Sequence, residues 1–100
     1  MDKYRVKLMP KALRDLESIY SHIMDEFKEV STAGHMAAML ENAILELEVM
    51  PYRGAVRKTG SYSNSCYRQL FVKNYTVVYR ILEEVRMVLI VTVRYTPSNF

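Results

Sequence analysis

Hydrophobic and polar positions change period twice along this chain. Tyr4, Val6 and Leu8 alternate with Arg5 and Lys7, which is the two-residue period of a short, half-buried strand. After Met9 the spacing turns helical. Leu13, Leu16, Ile19 or Tyr20, Ile23 and Phe27 recur on one face, with Arg14, Asp15, Glu17 and Ser18 largely opposite. Pro10 suits the first position of a helix, where its missing N–H is not required, so a helix is predicted from Pro10 to Phe27. A polar joint, Lys28 to Thr32, follows, and Ser31 or Thr32 can cap a second helix. Met36, Leu40, Ala43 or Ile44, and Leu47 carry that helix forward. It ends before Pro51, because the residue preceding a proline avoids the helical region.

The last third returns to strand character. Tyr67 to Tyr95 reads as three apolar runs rich in valine, isoleucine and tyrosine, parted at Lys73-Asn74 and Glu83-Glu84. Breaks this short join antiparallel strands, since parallel neighbours need a crossover of about a dozen residues. Asn74 is the residue expected to take positive φ in the first turn. The run from Met87 to Val93 is apolar except for Thr92 and is predicted to be a central strand. Residues 51–65 hold no sustained period and read as a loop, with at most a frayed strand start. The predicted fold class is α+β, β-α-α-β-β-β, with a helical hairpin on one face of an antiparallel-dominated sheet. The short first strand falls at an edge, and 1–100 form one domain.

Composition narrows the chemistry. Half the residues are hydrophobic and a quarter charged, a globular profile. No run approaches the length of a membrane span, and MDKYRVKLMP lacks the apolar stretch of a secretory signal, so the expected compartment is the cytoplasm. Cys66 is the only cysteine and is expected to pack inertly beside Tyr67. His22 and His35 lie on the predicted helices, facing solvent and away from the arginine-bearing strands. One cysteine and two separated histidines give no zinc spacing. Gly54 and Gly60 are isolated, so no phosphate-binding loop is predicted, and no cofactor is expected. The methionines of the helices, among them Met24, Met36, Met39 and Met50, are read as core filling.

Net charge is divided between the halves. Residues 1–50 carry six Lys or Arg against nine acids, a balance of −3, whereas residues 51–100 carry eight against Glu83 and Glu84, a balance of +6. Such asymmetry favours an anionic partner for the second half, nucleic acid or an acidic protein segment.

Several features together resemble the RelE/ParE superfamily of bacterial type II toxins. They are Leu13, Asp15-Leu16, Ile19 and Tyr20 on the first helix, Leu47 to Pro51 at the end of the second, and Gly54. Tyr67-Arg68-x-Leu70-x-Val72, then Asn74-Tyr75 and Val77-Val78-Tyr79, complete the pattern. The resemblance implies a β-α-α-β-β-β fold and a cognate antitoxin whose flexible segment blocks the working surface of the toxin. It also implies one of two targets. ParE-like members bind DNA gyrase through protein contacts. RelE-like members cut messenger RNA on the ribosome with Lys, Arg and Tyr side chains.

The nuclease pattern needs cations for the phosphate and groups that move protons. Arg68, Arg80, Arg94 and Tyr95 are the candidates for those roles. Thr76, however, stands where the ribonuclease pattern has an arginine, and Arg94-Tyr95-Thr96 replaces its basic or histidine ending. The first helix resembles ParE-type relatives, so the ParE-like side is favoured. Candidates for contact with target or antitoxin are Arg53, Arg57, Lys58, Arg68, Tyr79, Arg80 and Arg94, on the sheet face opposite the helices and on the loop. A regulatory module that only binds an acidic partner is the third reading. No membrane contact is expected.

Overall fold

The computed structural model describes residues 3–27, 30–58, 62–63 and 66–96. The expected joint at Lys28, Gly60 and the tail beyond Thr96 fall outside these in whole or part, as does the side chain of Phe27. Strand β1 (Arg5–Leu8) leads into α1 (Pro10–Phe27) and α2 (Val30–Leu45). Strands β2 (Ala55–Val56), β3 (Arg68–Val72), β4 (Tyr75–Leu82) and β5 (Met87–Tyr95) follow. They form one sheet in the order β1-β5-β4-β3-β2. The α+β architecture is thus as predicted, with a fifth strand added.

Helix α1 starts at Pro10, as its sequence predicts, and the Leu13 N–H closes the first turn onto the Met9 carbonyl at 3.0 Å. Ala12, Leu16, Ile19 and Ile23 are buried at helical spacing. Leu13 is 47 % exposed, so Ala12 takes the core position expected of it. The smaller residue lets the helix lie close to the sheet. On α2 the buried residues are Leu40 and Ile44, continued by Leu47 in a one-turn 3-10 segment, Glu46–Glu48. Helix α2 already begins at Val30, so Ser31 and Thr32 lie inside it, and their side chains fall outside the described residues. Met24 and Met50 are exposed and fill no core.

The hairpin covers one face of the sheet, with α1 over β5 and α2 over β3. Beneath it, Leu70, Val72, Tyr75, Val77, Tyr79, Val88, Ile90 and Val93 join the helical residues in one buried cluster. Each fully buried aliphatic side chain in such a cluster stabilises by roughly 1.5–3 kcal/mol relative to exposure.

Strand β5 is an interior strand, as its apolar run predicts, although β4 is the middle one of the five. Its neighbour on the far side is β1, paired parallel, Arg5 opposite Met87 through Leu8 opposite Ile90. Helix α1 and all that follows supply the crossover which parallel pairing requires. Between β4 and β5 the register slips: Val78 faces Thr92 but Tyr79 faces Ile90, leaving Val91 as a bulge. The bulge breaks the burial alternation, so Thr92 and Val93 are both enclosed.

The two turns differ from their predicted form. Lys73, not Asn74, takes positive φ (54°) between β3 and β4. The second break is a 3-10 turn, Glu83–Val85, closed by Arg86 in the left-handed region at φ 51°.

Candidate functional site

At the end of the sheet where β3 begins and β4 finishes, a pocket of about 230 Å³ is lined by Tyr52, Cys66, Arg68, Arg80 and Ile81. Arg68 reaches back to the loop before β2, its Nη2 donating to the carbonyls of Gly54 (2.5 Å) and Tyr52 (3.3 Å). Its guanidinium also stacks over the Tyr52 ring at 5.2 Å. Arg80 stacks on Tyr67 at 5.5 Å. Among the described residues, the Nε of each arginine is buried without a hydrogen-bond acceptor. Neither pairs with a carboxylate among the described residues.

An acidic side chain that bonds the pocket residue Tyr52 is already engaged. Glu83 accepts from the Tyr4 hydroxyl at 2.7 and 2.9 Å and from the Tyr52 hydroxyl. Those bonds, Tyr52 first and Tyr4 second, hold its carboxyl below the usual range, and raise the Tyr52 phenol. The cluster ties β1, the loop after α2 and the β4–β5 turn together, and Arg86 stacks on Tyr4 at 5.5 Å.

The other candidates lie elsewhere. Arg94 faces Thr76 and Tyr95 faces Tyr75, at the opposite end of β4 from Arg80. Four residues of strand separate Arg80 from Thr76, about 13 Å. Concerted proton transfer needs contacts of about 3 Å. Arg68 and Arg80 are brought together; Arg94 and Tyr95 are not brought to them. Thr76 is buried and shares a 2.9 Å hydroxyl hydrogen bond with Thr96.

Tyr95 lies edge-to-face on Tyr75, centroids 5.8 Å apart, in a largely apolar cleft of about 510 Å³ under the tip of the helical hairpin. His22 lines the same cleft, so it is exposed, as predicted, but not remote from Tyr95. A β-strand alternates its faces, and Tyr95 falls on the helical side.

Among the loop candidates, Arg53 is exposed and pairs with Glu46, and Lys58 is exposed. Arg57 is buried (7 % exposed), its Nη1 donating to Gln69 Oε1 at 2.8 Å; burial lowers its pKa. Tyr79, expected at the contact surface, has no exposed area. Its hydroxyl accepts from the Gly54 N–H at 3.0 Å and donates to the Pro51 carbonyl at 2.8 Å. The register explains this, for Tyr79 shares a face with Val77 and Tyr75, beneath the helices. Cys66 is exposed in the turn before β3 and is not packed in a strand.

Sequence reading missed Tyr52, Tyr67 and Tyr4 as partners of these groups. The only signal available was a tyrosine content of eight in a chain without tryptophan. Among the described residues no cluster of three or more metal-ligating side chains occurs, and no helix is long and apolar enough to cross a membrane.

A helical hairpin on a mixed, mostly antiparallel sheet with this topology is the fold of the RelE/ParE toxins. The chain is similar to a toxin-antitoxin structure described as the chromosomal ParDE system of P. aeruginosa, with a TM-score of 0.75 and 18% identity. That match covers 92% of this chain and 95% of the other. It is also similar to a chain of the RelBE2 toxin-antitoxin complex of Mycobacterium tuberculosis (TM-score 0.66, 24% identity, 95% and 93% covered). No curated protein sequence matches it. Residues 6–100 match the family described as ParE toxin of type II toxin-antitoxin system, parDE, and the chain belongs to that family.

Proposed function

We propose that this chain is the toxin of a type II pair that acts by binding a cellular protein, DNA gyrase, and is neutralised by a cognate antitoxin. The observation that carries this reading is the division of the candidate catalytic set between the two ends of the sheet. Arg68 and Arg80 are the two cations beside a pocket, with no Arg94 or Tyr95 within reach to move a proton. The hydroxyl of Thr76, where the nuclease pattern needs a cation, is committed to Thr96. Protein-binding features are present instead. Val49, Met50, Tyr52 and Val85 are large apolar side chains about half exposed, and Tyr52 lines the arginine pocket. Tyrosine, methionine and arginine are the residue types enriched in protein interfaces.

The antitoxin has an accessible strand to meet. β2 pairs only with Arg68 and Gln69, so the outer edge of β3 at Phe71 has no strand partner among the described residues. An ordered antitoxin segment there would lie in the groove between α2 and β3, lined by Met39, Ala43 and Phe71.

Induced expression without antitoxin tests the reading. Supercoiling is expected to fall while translated messages stay intact, and Tyr95→Phe is expected to remain toxic. Rapid fragmentation of translated messages, lost with Tyr95→Phe, would instead establish the RelE-like endoribonuclease.

A further inference from the structure

We propose that the Arg68–Arg80 pocket is a carboxylate receptor, and that its occupant is an acidic side chain of the antitoxin, flanked by apolar residues. The choice of partner rests on the toxin reading above; the carboxylate chemistry does not. A buried N–H donor without an acceptor costs roughly 1–3 kcal/mol, and more when the group is charged. Here two such donors, Arg68 Nε and Arg80 Nε, lie in arginines that line one small pocket. By strand register Arg80 belongs to the open face and Arg68 to the helical one. Both reach the pocket because it opens where the strands end.

Stacking on Tyr67 and Tyr52 holds each guanidinium in place, which preserves the planar fork that matches a carboxylate. Carbonyls of Tyr52 and Gly54 fix one end of Arg68 but bring no negative charge. Glu83, bonded to the pocket residue Tyr52, accepts from two tyrosines and is not part of the lining. The site is therefore built and electropositive, and its donors suit an anion.

The surroundings favour a protein source over a polynucleotide. The pocket is small, and its described lining adds only Tyr52, Cys66 and Ile81 to the two arginines, with no third cation. A phosphate backbone is held by several cations in series, whereas one acidic residue set among apolar ones suits a single anchored point.

Cys66 lines the pocket, is exposed and is the only cysteine in the sequence, so it serves as an internal reporter. The probes are iodoacetate, which carries a carboxylate, and neutral iodoacetamide. An unassisted thiol reacts faster with the neutral reagent. Free toxin is expected to show saturating kinetics with iodoacetate and a preference for it, and Arg80→Gln to lower that preference about tenfold. Arg80→Lys, which keeps the charge but not the fork, is expected to fall between them. Circular dichroism of each variant separates this from misfolding.

The peptide acetyl-Leu-Glu-Leu-amide is expected to protect Cys66 from iodoacetate, and the intact antitoxin complex to abolish labelling. Better protection by a short oligouridylate than by the peptide would overturn the carboxylate assignment. A complex that leaves Cys66 as reactive as in free toxin would overturn the antitoxin assignment while leaving toxicity towards gyrase untouched. No iodoacetate preference in the free toxin would overturn the site itself.

Discussion

Tyr79 exposes no surface, yet its hydroxyl fixes the loop that carries Tyr52 and Arg53 to the sheet. Tyr79→Phe leaves the Gly54 N–H and the Pro51 carbonyl buried and unsatisfied. It is expected to destabilise by about 1–3 kcal/mol in denaturant unfolding, with the ring still packed. Asp15 plays a similar part on α1. Burial alone would raise its pKa, but hydrogen bonds from the Thr92 hydroxyl, Lys11 and the Val93 N–H outweigh that and hold it below the ordinary carboxylate value. They place the carboxylate on the β5 bulge, with Lys11 Nζ 3.1 Å from it. With the folded pKa below the unfolded one, the stabilisation is full above the ordinary carboxylate value and is lost as pH falls through the folded one. A urea midpoint followed downward through that range should drop in the wild type, and Asp15→Asn should remove this share of the fall. The role of Asp15 was legible only as polarity on a helix. Nothing local to the sequence says that Thr92 lies above it, because the two meet through a bulge and 77 residues of chain.

At the scale of elements, both helices and the three long strands follow from periodicity because each presents a sustained apolar face. β2 does not, since two residues are too few to show a period. Nor does the parallel pairing of β1 with β5, which is decided by the crossover rather than by either strand. The burial of Tyr79 was readable in principle from its alternation with Tyr75 and Val77. Its tyrosine hydroxyl suggested a surface role that the face of the strand contradicts. Gly54 is the tightest joint between elements. A Cβ there would collide with the Gln69 carbonyl on β3 and with the Tyr79 hydroxyl. Gly54→Ala is expected to cost about 3 kcal/mol, read as a lowered melting temperature. The loss should exceed that of Gly34→Ala, whose Cβ meets nothing within 4 Å.

Across the whole molecule, the sheet distributes the basic half of the chain over its two ends. The end with Arg68 and Arg80 is ringed by tyrosines and apolar side chains. The end with Arg94 and Tyr95 borders an apolar cleft under the hairpin. The charge asymmetry was plain in the sequence, but its separation into two places was not, because register decides it. Within a fold shared by RelE and ParE toxins, our proposal of protein contact over RNA cleavage rests on that separation. The most direct measurement is DNA supercoiling by purified gyrase titrated with this toxin after release from its antitoxin. Inhibition that rises with toxin and is reversed by adding antitoxin back is the expected result. Undiminished gyrase activity, in a preparation that cuts ribosome-bound messages, would contradict it.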